Sequence, residues 1–353
     1  MKIACYTALR RIELLDAPEP VLRRPDDVLL QIDRVGVCGS DIHYYLEGRI
    51  GNQIVQYPAT LGHECSGTVL ETGSAVEGLK AGDRVAVDPA FPCGTCDQCL
   101  SGRPHTCRRL NFMGNPGEAP GAVAERYVAP AACCAVIPDS MSLDEAMLVE
   151  PLSIGLHAVR LSQFAAGMKI AILGAGPIGL SVLLCAKATA PCTALVTDLR
   201  DERLAIARRC GADAVWNARQ SDVAAAITHA EPQGLDLVFE CSGDPACVEQ
   251  GQSVLRPGGA VMLVGIPPVD AVAFDPHRMR RSELRFQAVR RQNDCVLPAI
   301  RLIADRRLDP SPLLTHRFPL SEISAAFELV AGYRDGVIKA LVDVGGRRER
   351  DRR

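Results

Sequence analysis

The hydrophobic rhythm of the chain changes twice. Up to residue 153, short β-branched runs at 28–32, 67–70 and 84–87 are broken by Gly, Pro and Asp. That texture predicts an antiparallel β region with long loops. From 154 to 288 the pattern alternates: apolar runs at 169–173, 194–197, 235–240, 260–264 and 284–288 are separated by helical windows such as 200–210 and 245–255. Strands alternating with helices of this length predict βαβ units and a parallel, doubly wound sheet, so the fold class is α/β. After 288 come a helical window at 296–306, a Pro-rich loop and a strand-like run at 340–344. The order alone predicts that 154–288 is inserted in the chain, with 1–153 and 289–353 joining as one second domain. No repeat of 20–50 residues is visible, which excludes a solenoid.

Composition narrows the picture. The 353 residues suit two domains or at most three. Charge is balanced, 39 Lys and Arg against 42 Asp and Glu. That argues against nucleic acid as a partner, because a dedicated binder carries a basic excess. The start of the chain reaches Arg10 and Arg11 with no apolar core of signal-peptide length. The longest uncharged stretch, 170–186, falls short of the ~20 residues of a membrane span and is interrupted by glycines. A cytoplasmic location with no membrane contact is expected. The end, 345–353, holds five arginines and two acids and reads as a frayed, solvated tail.

One stretch predicts a dinucleotide site. Residues 170–173 form a strand-like run before Gly174-Ala175-Gly176-Pro177-Ile178-Gly179, and an apolar helical segment follows. Asp198 ends the next strand, 19 residues beyond Gly179. This is G-x-G-x-x-G in its required context: a tight turn, close backbone approach to a pyrophosphate, and phosphates at a helix N-terminus. The bland alternative is a structural turn. Asp198 is placed to accept from an adenosine ribose and would repel a 2′-phosphate, so NAD is preferred over NADP. Arg200 and Arg203 lie close by and temper that preference.

The count of 15 cysteines raises metal chemistry. Cys93, Cys96, Cys99 and Cys107 form C-x2-C-x2-C-x7-C in a polar, Gly-containing loop. Four thiolates at such spacing can close around one tetrahedral zinc, which staples a loop and does no chemistry. The plain alternative is four unconnected thiols. A dispersed set is Cys38, His63 with Glu64, and Glu150. A catalytic zinc needs three protein ligands and a vacant place. Singly, each residue has an ordinary reading: core packing for Cys38, a hydrogen-bonded His63, a helix-capping Glu150. The ten other cysteines show no metal spacing and read mostly as small core residues.

Together, Gly36-Val37-Cys38-Gly39-Ser40-Asp41-Ile42-His43, Leu61-Gly62-His63-Glu64, Gly82-Asp83-Arg84-Val85, the four-cysteine loop and the glycine loop resemble the zinc-dependent medium-chain dehydrogenases over nearly the whole chain. His43-Tyr44-Tyr45, Gly48-Arg49-Ile50-Gly51 and Glu150-Pro151-Leu152-Ser153 look like the polyol branch, typified by sorbitol and xylitol dehydrogenases.

The resemblance implies a Rossmann domain (154–288) inserted into a GroES-like catalytic domain. It implies two zinc ions per chain and NAD, with Cys38, His63 and Glu64 at the catalytic zinc. Glu150 stands where classical alcohol dehydrogenases place a second cysteine, as a ligand either direct or through water. Asp41 matches a residue that orients the zinc-bound histidine. Ser40 and His43 match a proton relay, and Tyr44, Glu150 and Arg290 match substrate-lining positions. Cofactor contacts are expected at Gly174, Gly176, Pro177, Ile178, Gly179, Asp198, Arg203, Val264, Gly265, Ile266, Ala288 and Arg290. The implied activity is oxidation of a secondary alcohol of a polyol or related sugar to a ketose, by a homo-oligomer of two or four chains.

Arg291 follows Arg290 where the polyol enzymes commonly have tyrosine. Two adjacent guanidiniums would suit a carboxylate-bearing substrate such as an aldonate; alternatively one faces the cofactor and the other solvent. The threonine dehydrogenase branch is a second alternative, and a non-catalytic zinc and dinucleotide redox sensor is a third.

Overall fold

The computed structural model describes residues 1–345; the basic tail lies outside the described residues, apart from Gly345. The chain forms two compact units, one from Met1–Glu150 together with the segment from Leu314 onward, the other from Pro151–Leu313.

The first unit is built on a seven-stranded sheet. Its path runs Cys134–Val136, Arg84–Val87, Glu64–Thr72, Asp27–Gly36, Lys339–Asp343 and Leu314–Pro319, and Arg126–Pro130 also pairs with Asp27–Gly36. Pairing is antiparallel except between the last two strands of the path. Val28, Leu30, Ile32, Val35, Val69, Val85 and Val342 point β-branched and leucine side chains into one core, as the period of two requires. Arg34, only 2% exposed, is the largest buried side chain; it pairs with Asp144 at 2.8 Å and Asp343 at 2.7 Å.

The second unit holds six parallel strands in the spatial order Ala214–Asn217, Thr193–Asp198, Lys169–Leu173, Leu235–Glu240, Leu255–Leu263 and Arg285–Ala288. In chain order this is 3-2-1-4-5-6, the doubly wound arrangement whose ligand crevice opens where strand order reverses. The reversal lies between Lys169–Leu173 and Leu235–Glu240. Ile170, Ala171, Ile172 and Leu173 are all buried because helices cover both sheet faces, hence a continuous apolar run instead of an alternating one.

Two sequence expectations are revised. The strand Ala214–Asn217 goes unannounced in the sequence: it is four residues long and pairs on one side only. The division expected at 288/289 falls instead at Leu313/Leu314, and that expected at 153/154 falls at Glu150/Pro151, inside the helix Val149–Leu161. The helix Val296–Ala304 and the turn after it pack with the parallel-sheet unit. There Arg160 donates to the Asp294 carbonyl at 2.9 Å and Arg307 donates to the Ala188 carbonyl at 2.9 Å.

Candidate active site

The helix Gly39–Glu47 organises the metal-ligand side of the site. Cys38 is its N-cap, and the Cys38 backbone N–H donates to Asp41 Oδ2 at 3.3 Å. Asp41 is buried, and its other carboxylate oxygen faces His63 Nδ1 at 3.6 Å, leaving Nε2 as the ring nitrogen to offer a metal. Glu64 opens the strand Glu64–Thr72, an interior strand of the sheet, so its neighbour His63 is held at that strand's start. Burial opposes protonation of His63, but the adjoining Cys38 and Asp41 outweigh it and push its pKa well up.

Among the described residues, the ligand atoms of Cys38, His63 and Glu64 lie within 4.8 Å of one another. Glu150 is not in that group. It is nevertheless buried, its Oε2 has no hydrogen-bond partner, and its pKa is pushed up to about 7, mainly by burial and further by Glu64. The site fits a divalent cation on its own geometry. A thiol, an imidazole and a carboxylate converge, and Glu64 Oε2 is buried without a hydrogen-bond partner, an orphaned acceptor that a cation would satisfy. Gly36 makes room for it: a Cβ there would come within 2.3 Å of Glu64 Oε2.

One charged residue here escapes the motif reading. Lys339, 1% exposed, places Nζ 2.6 Å from Glu64 Oε1 and 3.2 Å from the Val37 carbonyl oxygen. Burial alone would lower its pKa, but Glu64 holds it up. The signal that would have found it is a lone lysine beginning an otherwise apolar strand, Lys339–Asp343.

Ser40 and His43 stand three residues apart on the same helix, hence on one face, and both are half-buried. His43 Nδ1 is 3.6 Å from Glu47 Oε1. Tyr44 is buried, and its hydroxyl donates to Gln53 Oε1 at 3.1 Å.

The four thiols of Cys93, Cys96, Cys99 and Cys107 also lie within 4.8 Å of one another, with Cys96 Sγ 3.6 Å from Cys99 Sγ and 3.8 Å from Cys107 Sγ. Backbone donation from Thr95 and the Arg109 guanidinium bring the Cys93 thiol down to about 5, whereas desolvation and Cys96 push Cys99 up to about 12. Four thiols so close cannot all ionise unless a cation sits among them, which is the donor set of a closed tetrahedral zinc site. Cys96→Ser is expected to lower both the zinc-to-chain ratio and the melting temperature; metal analysis showing an unchanged ratio would remove the assignment.

In the parallel-sheet unit, Gly174 has φ +103° and packs against Ser242, and a Cβ on Gly179 would lie 1.8 Å from the Gly174 carbonyl oxygen. Gly176 is different: only Arg203 Nη1, at 3.7 Å, comes near its absent side chain, so the backbone stays open to a ligand. Pro177 begins the helix Pro177–Thr189, whose N-cap Gly176 supplies no side-chain acceptor. The first N–H groups, Ile178 included, are therefore free for an anion. Asp198 accepts from Ala175 N at 2.8 Å and Arg200 N at 3.0 Å, and Arg203 Nη1 is 3.8 Å away. These features fit a dinucleotide. Val264 and Gly265 follow the strand Leu255–Leu263 and donate to the Glu240 carbonyl, each at 2.9 Å; Ile266 beyond them is exposed. The Glu240 carboxylate, another group missed in sequence, braces the turn after its own strand by accepting from Ser242 N at 2.7 Å and Gly243 N at 2.9 Å. Ala288 ends the strand Arg285–Ala288; Arg290 is exposed, and Arg291 is half-buried with φ +50°.

Residues 24–139 match the alcohol dehydrogenase GroES-like domain family and residues 177–305 match the zinc-binding dehydrogenase family. A sorbitol dehydrogenase of Bacillus subtilis (strain 168) is 35% identical over 343 residues, covering 97% of both chains. An L-idonate 5-dehydrogenase of Vitis vinifera is 35% identical over 315 residues, 87% of this chain and 85% of that one. The structure of a zinc-binding dehydrogenase of Sinorhizobium meliloti 1021 bound to NADP is 30% identical, with a TM-score of 0.87 over 97% of this chain and 98% of that one. The chain belongs to the zinc-dependent medium-chain dehydrogenases. Within them it is a polyol dehydrogenase-like enzyme, an oxidoreductase that uses zinc and a nicotinamide dinucleotide on a small-molecule substrate. No helix among the described residues is long and apolar enough to cross a membrane.

Proposed function

We propose that the enzyme oxidises a secondary hydroxyl of an acyclic alditol, of the sorbitol or xylitol kind, to the ketose with NAD. The observation that carries this reading is the convergence of Cys38, His63 and Glu64 beside a helix that also bears Ser40, His43 and Tyr44. Bound zinc supplies a Lewis acid for the substrate hydroxyl, and bound NAD supplies the acceptor for its hydride.

The chain's own residues do the rest. Cys38, His63 and Glu64 hold the catalytic metal, Asp41 keeps the His63 ring aimed, and Tyr44 and Glu150 border the substrate. Ser40 Oγ accepts the hydroxyl proton as it gives up its own, and the released proton reaches solvent by way of His43, on the same helix face and half-buried. Asp198 anchors the glycine loop and draws Arg203 toward itself, so the guanidinium is not offered to a 2′-phosphate; this supports NAD over NADP. The unit Met1–Glu150 with its C-terminal segment is read as catalytic and Pro151–Leu313 as cofactor-binding. The reading extends to a cytoplasmic homo-oligomer, dimer or tetramer, and two zinc ions per chain.

A second reading rests on the adjacent guanidiniums of Arg290 and Arg291: an aldonate substrate. The experiment is NADH appearance with sorbitol, xylitol, galactitol, gluconate and threonine on zinc-loaded protein. Alditols are expected to turn over fastest and to give ketoses. Gluconate or threonine turning over fastest replaces the substrate assignment, and silence across the panel revives a sensor.

A further inference from the structure

A polar chain leads away from the metal ligands and is not accounted for by metal or cofactor binding. The Tyr44 hydroxyl donates to Gln53 Oε1 at 3.1 Å, with Asn115 Oδ1, at 3.5 Å, as the alternative acceptor for the same proton. The amides of those two residues then converge on one carboxylate oxygen: Gln53 Nε2 donates to Glu118 Oε1 at 3.1 Å and Asn115 Nδ2 donates to it at 3.2 Å. The other oxygen, Glu118 Oε2, accepts from Phe112 N at 2.7 Å. Gln53, Asn115 and Glu118 are half-buried, so the chain borders solvent.

Its location ties it to the chemistry. The Phe112 ring lies 5.3 Å from the His63 ring, and the loop after it is seated on the Gly62-His63 segment that leads into the strand Glu64–Thr72. Gly114, at φ +75°, brings its backbone so near Gly62 that a Cβ would be 3.0 Å from the Gly62 carbonyl oxygen. At its other end, Tyr44 shares its helix with Ser40 and His43.

We propose that Gln53, Asn115 and Glu118 are specificity-determining residues that select neutral polyhydroxyl substrates against carboxylate-bearing ones. The inference rests on the polyol reading above and deepens it. Each amide has one N–H committed to Glu118 and keeps a second, while Glu118 keeps acceptor capacity; the wall thus alternates donor and acceptor. A hydroxyl both donates and accepts and satisfies either kind of partner. A carboxylate only accepts, and it meets the Glu118 charge in a partly desolvated setting where like charges repel strongly.

The test is the ratio of kcat/KM for gluconate to that for sorbitol, measured on zinc-loaded wild type, Glu118→Gln and Gln53→Lys, with zinc content checked for each. Glu118→Gln removes the charge and keeps the shape; its ratio is expected to rise about tenfold, mainly through KM for gluconate. Gln53→Lys, on a separate hairpin, is expected to move the ratio the same way and decides the matter if Glu118→Gln fails to fold. Ratios within about twofold of wild type in the folded variants would reduce Glu118 to a staple of its own loop. If wild type oxidises sorbitol and the ratios do not move, only this inference falls; if wild type oxidises no alditol, the polyol reading falls and takes this one with it.

Discussion

His63→Ala lowers turnover by about four orders of magnitude or more, roughly 5 kcal/mol of barrier, while NAD still binds. The size follows from what His63 does. It is one of three convergent donor groups, it is buried, and its ring nitrogen Nδ1 faces Asp41. Removing it leaves Cys38 and Glu64 unable to hold the cation in a fixed, open geometry. On the proposed reading NAD is held by Gly174, Gly176, Gly179 and Asp198, all in the other unit, so the two properties are expected to separate. Steady-state rates with an alditol, beside NADH binding followed by fluorescence, check both halves. Wild-type turnover in a His63→Ala preparation free of catalytic zinc would remove the metal from the account.

Lys339→Met destabilises the zinc-free protein by about 3–5 kcal/mol, the cost of leaving a buried charge without its partner. Glu64 is fully buried, and Lys339 is the cation that touches it. Bound zinc would supply a second counter-charge, so the zinc-loaded variant loses less stability than the zinc-free one. Denaturant unfolding with and without chelator measures both. Equal losses in the two forms would mean that Lys339 supports the fold without reference to the metal site.

Much of this was legible in the sequence because the chemistry is written in short, local patterns. The glycine loop carries its own strand and helix, so its context can be read within a few residues. The cysteine loop is a single segment, and its spacing states its geometry. The second metal set is scattered over Cys38, His63 and Glu64, and no local rule joins them; the family resemblance did, and the sheet then brings them together. Residues outside motifs stayed hidden. Lys339 comes from a distant strand and meets Glu64 only because Lys339–Asp343 lies beside Asp27–Gly36 in the sheet. Asn115 and Glu118 share one turn, but Gln53 comes from a separate hairpin, and only tertiary packing brings it to them. The inner boundary was misplaced for a similar reason: the helix Val296–Ala304 has a clear apolar face, but periodicity does not say which unit that face will meet.

The central claim is that Cys38, His63 and Glu64 hold the metal on which alcohol oxidation depends. The most direct measurement is a zinc titration of chelator-stripped protein, following NADH formation from sorbitol or xylitol against zinc bound per chain. The account predicts negligible rate in the stripped protein and activity rising with occupancy of this site in wild type, with no recovery in His63→Ala at any zinc level. Full activity in wild type stripped of both metals, or recovery of the His63→Ala variant on adding zinc, would contradict it.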